Sequence, residues 1–174
     1  ADISSAYTGA ATATRVVKGI YVQSAGSGAV TESINVDANN VRIDGTLFPN
    51  ASNSCFEIGT GSGPVMNIRN NVFANYTGAQ VGLATHNAWF STSATSIGNT
   101  GSVSNYNDLY IANATNGFTG TGNATTYATL ANWQAAMVGQ DVNSVATDPT
   151  YISTTDLHVT GSGLNNVGNL TGSP

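Results

Sequence analysis

Val65-Met66-Asn67-Ile68-Arg69-Asn70-Asn71-Val72-Phe73-Ala74-Asn75 is the run whose reading decides the fold. Met66 and Ile68 alternate with polar residues, which is the period of a strand with one buried face. The Asn70-Asn71 step then predicts a sharp corner, because Asn tolerates the left-handed backbone and its amide bonds neighbouring peptide groups. The apolar pair Val72-Phe73 starts a second strand beyond it.

Working outward, similar text recurs. Val41-Arg42-Ile43-Asp44-Gly45-Thr46-Leu47-Phe48-Pro49-Asn50 lies on the run from Met66 to Asn75, with Ile43 on Ile68, Gly45 on Asn70 and Asn50 on Asn75. Val17-Lys18-Gly19-Ile20-Tyr21-Val22 matches with Gly19 at the corner, and Phe56-Glu57-Ile58 falls on Val81-Gly82-Leu83. The period is about 25 residues, in the range of stacked repeats. Short strands joined by Asn and Gly corners, with no helix-period stretch in the repeat, predict an all-β parallel β-helix, a solenoid with coils of about 25 residues. Gly19, Gly45, Asn70 and Asn71 are its expected structural corners. Asn70-Asn71 and Asn39-Asn40 are candidates for side-chain amide ladders.

Residues 85–92 are expected to form a loop inserted into one coil. The tail differs in character. Leu130, Trp133 and Met137 share one face at helical spacing, so a short capping helix is expected within 127–137, started by Thr125 or Thr126 and ended by Gly139. The expected division is 1–125 for the coils and 126–174 for the helix and cap segments of the same domain.

Composition narrows function by exclusion. Charged residues make up 7% of the chain, against about 25% in a typical domain. Net charge is -5, with Arg15, Lys18, Arg42 and Arg69 the four basic residues. Nucleic acid requires a basic footprint, and none is present. Membrane insertion is not expected, since no apolar run approaches the about 20 residues of a span. Cys55 has no second cysteine to pair with and reads as a small buried apolar group. Sequons at Asn50, Asn75, Asn113, Asn123 and Asn169 permit glycosylation without showing it.

The run Asn105-Tyr106-Asn107-Asp108, the helix text with Trp133-Gln134, Asp148-Pro149-Thr150-Tyr151 and Asp156-Leu157-His158-Val159 together resemble the terminal part of right-handed parallel β-helix domains. Such domains occur in large secreted and cell-surface proteins of Bacteroidota. The resemblance implies a right-handed coil, export, an extracellular location at the cell surface, and membership in a longer chain. The text after His158, Gly161-Ser162-Gly163-Leu164, departs from that pattern.

Chemistry-bearing clusters are sparse. The nine acidic residues are spread thinly; Asp44 is expected to face Arg69 as a surface ion pair, and Asp37 with Glu57 is the one carboxylate pairing to weigh. His86, Trp89 and Phe90 in the expected loop are candidates for stacking on sugar rings, against the alternative that Trp89 and Phe90 plug the loop onto the protein. His158 is expected to make a turn or solvent contact. Asp141 and Asp148 read as capping or turn groups, with Ca²⁺ the lesser alternative. No metal site, no cofactor and no catalytic residue is expected. The function expected is a non-catalytic structural or adhesive module of an exported surface or filamentous protein. It would stack end to end with neighbouring domains or identical subunits and meet cell-surface glycans. The alternative is a polysaccharide-binding or polysaccharide-cleaving module.

Overall fold

Alternation decides which side of each strand is buried. In Val65–Arg69, Met66 and Ile68 are buried while Val65, Asn67 and Arg69 are half-buried. The same rule orients the rest of the chain. A computed structural model describes residues 16–23, 33–45, 52–59, 65–78, 85–91, 101–122, 124–160 and 164. The elements are β1 (Val16–Val22), β2 (Ser33–Asp37), β3 (Asn40–Gly45), β4 (Ser52–Ile58), β5 (Val65–Arg69), β6 (Val72–Thr77), β7 (His86–Ser91), β8 (Val103–Asn105), β9 (Asp108–Ile111), β10 (Gly117–Gly122), β11 (Thr125–Tyr127) and α1 (Leu130–Ala136).

Three short sheets result, with orders β1-β4-β7-β10-β11, β2-β5-β8 and β3-β6-β9. Among the described strands every pairing is parallel except β10 with β11, which is antiparallel and makes the first sheet mixed. This corrects the expected right-handed parallel β-helix with coils of about 25 residues. Strand register overturns it. In the parallel strand pairs, partners lie between 31 positions apart, as for His86 and Gly117, and 36 apart, as for Val72 and Asp108. Ile43 therefore pairs with Asn75 rather than Ile68, and Phe56-Glu57-Ile58 pairs with Trp89-Phe90-Ser91. The loop expected at residues 85–92 is not found among the described residues 85–91: His86–Ser91 is β7, at the centre of the first sheet. The supposed counterparts Leu47, Phe48, Asn50 and Val81 to Leu83 lie outside the described residues.

The core runs between the sheets. Phe56 stacks on Phe73 with centroids 5.3 Å apart and meets Trp89 at 4.7 Å; Trp89 meets Trp133 of α1 at 5.7 Å. Such pairs contribute roughly 0.5–1.5 kcal/mol each beyond their buried area. Val36, Cys55, Ile58, Met66, Ile68, Ala88, Leu109 and Met137 complete the cluster. Gly120 leaves room for α1, since a Cβ there would sit 2.3 Å from the Trp133 ring.

The helix begins later than expected. Thr129 is its N-cap, accepting from the Asn132 N–H at 3.2 Å, and Thr125–Tyr127 is instead the antiparallel strand β11. Trp133 and Met137 are buried and Leu130 is half-buried, so the helical spacing does mark the packed face.

Candidate functional site

The four expected corners divide. Asn70 has φ 57° and turns the chain between β5 and β6; Ala38 (φ 54°) and Tyr106 (φ 57°) do the same between β2 and β3 and between β8 and β9. Gly45, with φ 124°, ends β3. Gly19 is not at a corner. It lies within β1, where a Cβ would come within 2.4 Å of Val41 and 2.5 Å of the Cys55 carbonyl oxygen.

Asn71 forms the middle of a buried amide ladder. Its Oδ1 accepts from Asn39 Nδ2 at 3.0 Å, and its Nδ2 donates to Asn107 Oδ1 at 3.0 Å. Asn107 Nδ2 in turn donates to Asp141 Oδ1 at 3.2 Å. The ladder has a direction: donors point from Asn39 toward Asp141, where a carboxylate ends it.

The candidates for sugar stacking are placed differently from one another. Trp89 is fully buried against Phe56 and Trp133. His86 is fully buried too, with Nε2 2.6 Å from the Asn113 carbonyl oxygen and Nδ1 without a partner. Burial pushes its imidazole below the usual histidine range, against the opposing pull of that carbonyl. Phe90 is half-buried.

Charged groups also pair otherwise than expected. Asp44 bonds Arg42 at 2.6 Å, and Arg69 sits beside Asp37 in the β2–β5 register. Glu57 is buried and pairs with Lys18 at 2.5 Å, while Asp37 accepts from Asn70, so these two carboxylates are not brought together. His158 is exposed and bonds Asp156. Among the described residues no three His, Cys, Asp or Glu side chains form a group able to hold a metal. No helix among them is long and apolar enough to cross a membrane.

The outer face of the third sheet carries a cluster that sequence reasoning missed. Tyr76 and Tyr110 project there, since their alternates Asn75 and Leu109 are buried. Their rings lie 5.4 Å apart, and Tyr151 reaches Tyr76 at 6.1 Å. The Arg42 guanidinium lies 4.3 Å over the Tyr76 ring and 5.5 Å from that of Tyr151. Asp148 accepts from Tyr76 at 2.5 Å and Tyr110 at 3.3 Å. The segment carrying Asp148 and Tyr151 lies over this face as a strap. Asn40 Nδ2 donates to the Leu157 carbonyl at 2.7 Å, Arg42 reaches the Ser153 carbonyl at 3.5 Å, and the Tyr151 hydroxyl bonds Asn40. Beneath the strap, Ala74 is fully buried and Asp108 is 2% exposed. The available signal was the outward register of Tyr76 and Tyr110, read together with Asp148 and Tyr151 in the tail.

The two ends of the molecule differ. At one, β11, α1 and residues 140–147 cover the last strands. Asp141 N–H donates to the Ser104 carbonyl at 2.7 Å, Leu109 N–H to that of Val145 at 2.8 Å, and Gln140 Oε1 accepts from Ser104 N–H at 2.7 Å. At the other end β1, β2 and β3 are the outermost described strands of their sheets. Ile20, Val22, Val41 and Ile43 there are half-buried, whereas Phe56, Ile58 and Phe73 in the next strands are at most 6% exposed. No family of proteins, no curated protein and no solved structure matches the chain in sequence or fold comparison.

Proposed function

We propose that the chain is a non-catalytic structural or adhesive module of an exported, extracellular surface or filamentous protein, stacked end to end on neighbouring domains or identical subunits. The observation that supports this reading is the coincidence of three outer strand edges, β1, β2 and β3, at a single end of the molecule. Edges that no described strand pairs offer rows of N–H and C=O groups to another chain. The direction of the ladder adds to it: among the described residues none donates to Asn39 Oδ1, so the open end is an acceptor end. Four of the five large exposed apolar residues among those described also lie at the ends, the exception being Ile152 in the tail. Tyr21 and Ile34 lie on β1 and β2, and Val138 and Val142 lie at the closed end.

Polysaccharide binding or cleavage remains the competing class, but two of its three aromatic and imidazole candidates, His86 and Trp89, are inside the protein. Sedimentation velocity across a concentration series, with hydrogen exchange, tests the proposal. Association weakened by Ile34→Lys and untouched by Ile152→Lys, which alters an exposed tail residue, is the expected result. A single monomeric species whose β1–β3 amides exchange as slowly as those of β4–β6 would overturn it.

A further inference from the structure

We propose that residues 145–160 form a proton-sensitive strap: with Asp108 neutral it grips the outer face of the third sheet, and with Asp108 ionised it loosens. The inference is independent of end-to-end stacking. It begins with an unsatisfied atom. Asp108 is 2% exposed, and its Oδ1 accepts the Thr147 N–H at 2.9 Å, but its Oδ2 is buried with no hydrogen-bond partner. A buried carboxylate with one empty oxygen is tolerable while protonated and costly when charged.

The surroundings give an anion little relief. On the strap, Asp148 presents a second carboxylate, and Tyr151 a neutral phenol. On β9 and β6, Tyr110 and Tyr76 spend their hydroxyls on Asp148. Arg42 on β3 is engaged by Asp44, and Cys55 on β4 is a buried neutral thiol. Burial first, and the Asp148 charge second, push the Asp108 carboxyl up to about 7, against the opposing Thr147 hydrogen bond.

The strap itself supplies this environment. Val145 bridges to Asp108, Thr147 bonds it, and Asp148 faces it. When the strap lifts, Asp108 returns toward the ordinary carboxylate value near 4. The docked form therefore holds one more proton over the interval from about pH 4 to about pH 7, and docking weakens as pH rises through it.

The test is hydrogen exchange of strap peptides at about pH 5 and about pH 8.5, corrected for intrinsic rates, with β6 peptides as internal reference. The expected result is at least a tenfold loss of strap protection at the higher pH, with β6 unchanged. Asp108→Asn, which keeps the Thr147 acceptor without the charge, is expected to stay protected at both. Strap protection independent of pH, or equally pH-dependent in Asp108→Asn, would overturn the proposal. Should that variant not fold, the carboxyl carbon shift of Asp108 in the unaltered protein decides: a midpoint near 4 overturns it, and one near 7 that tracks strap exchange supports it.

Discussion

Trp133 donates its indole N–H to Asp141 Oδ2 at 2.8 Å, and both residues are fully buried. The same carboxylate takes Ser104 Oγ at 2.8 Å, Ser144 Oγ at 2.7 Å and Asn107 Nδ2 at 3.2 Å on Oδ1. One side chain thus joins the helix, the end of the amide ladder and the closing segment. Replacing it strands several buried donors at about 1–3 kcal/mol each. Asp141→Ala is expected to cost about 3–5 kcal/mol in denaturant unfolding. Asp141→Asn, which loses the Trp133 bond and keeps an acceptor for the others, is expected to cost about half as much.

Asn70 and Asn71 are adjacent and answer to different physics. Asn70 holds φ 57°, a conformation that Gly adopts freely. Asn71 is 1% exposed and bonds Asn39, Asn107 and the carbonyls of Val36 and Arg69. Asn70→Gly is expected to stay within about 1 kcal/mol of the unaltered protein, and Asn71→Ala to lose about 2–4 kcal/mol. Equal losses by chemical denaturation would refute the distinction.

That contrast marks what could be read in advance. The Asn-Asn step and the alternation of Met66 and Ile68 are local, and local text carried the corner at Asn70 and the buried sides of β5. The spacing of the pairings was not legible. Connections of unequal length set the register, so equating Ile43 with Ile68 missed the true partner, Asn75. Gly19 looked like a corner because Gly permits one, yet its use is the close approach of Cys55 and Val41. Trp89 and Phe90 looked like a loop because the spacing to the next repeat-like run, Val103 to Ile111, exceeds the period of about 25 residues; only pairing with β4 and β10 makes them sheet. The Asp108 and Asp148 cluster joins residues forty positions apart in sequence order, which no short pattern encodes.

Both tryptophans of the chain, Trp89 and Trp133, are 0% exposed. Acrylamide is expected to quench the native emission little and the unfolded emission strongly. Soluble polysaccharides are expected to leave native emission unchanged. A shift in emission maximum on adding a glycan would place a binding site at Trp89 after all.

Cys55 is fully buried, and its burial pushes the thiol well above the usual range despite a hydrogen bond with the Ile43 backbone. The thiolate is the reactive form. An aromatic disulfide reagent at about pH 8 is expected to leave native Cys55 unmodified and to label it at the rate of unfolding. Stoichiometric labelling within seconds under native conditions would contradict the packing of β4.

Asp148 sets the acid side of stability. Desolvation alone would raise its carboxyl, but hydrogen bonds from Tyr76, the Thr150 N–H and Tyr110, with the Arg42 charge, outweigh it and hold it below the ordinary range. For a depressed carboxylate the stabilisation is present above the ordinary value near 4 and is lost as pH falls through the folded value. Melting temperature is therefore expected to fall on acidification below about pH 4. Asp148→Asn is expected to flatten that acid limb, because its amide carries no charge to lose. It also removes the second carboxylate facing Asp108, so the same variant is expected to shrink the alkaline loss of strap protection. An acid limb of equal slope in the variant would assign it to other carboxylates and remove Asp148 from the account.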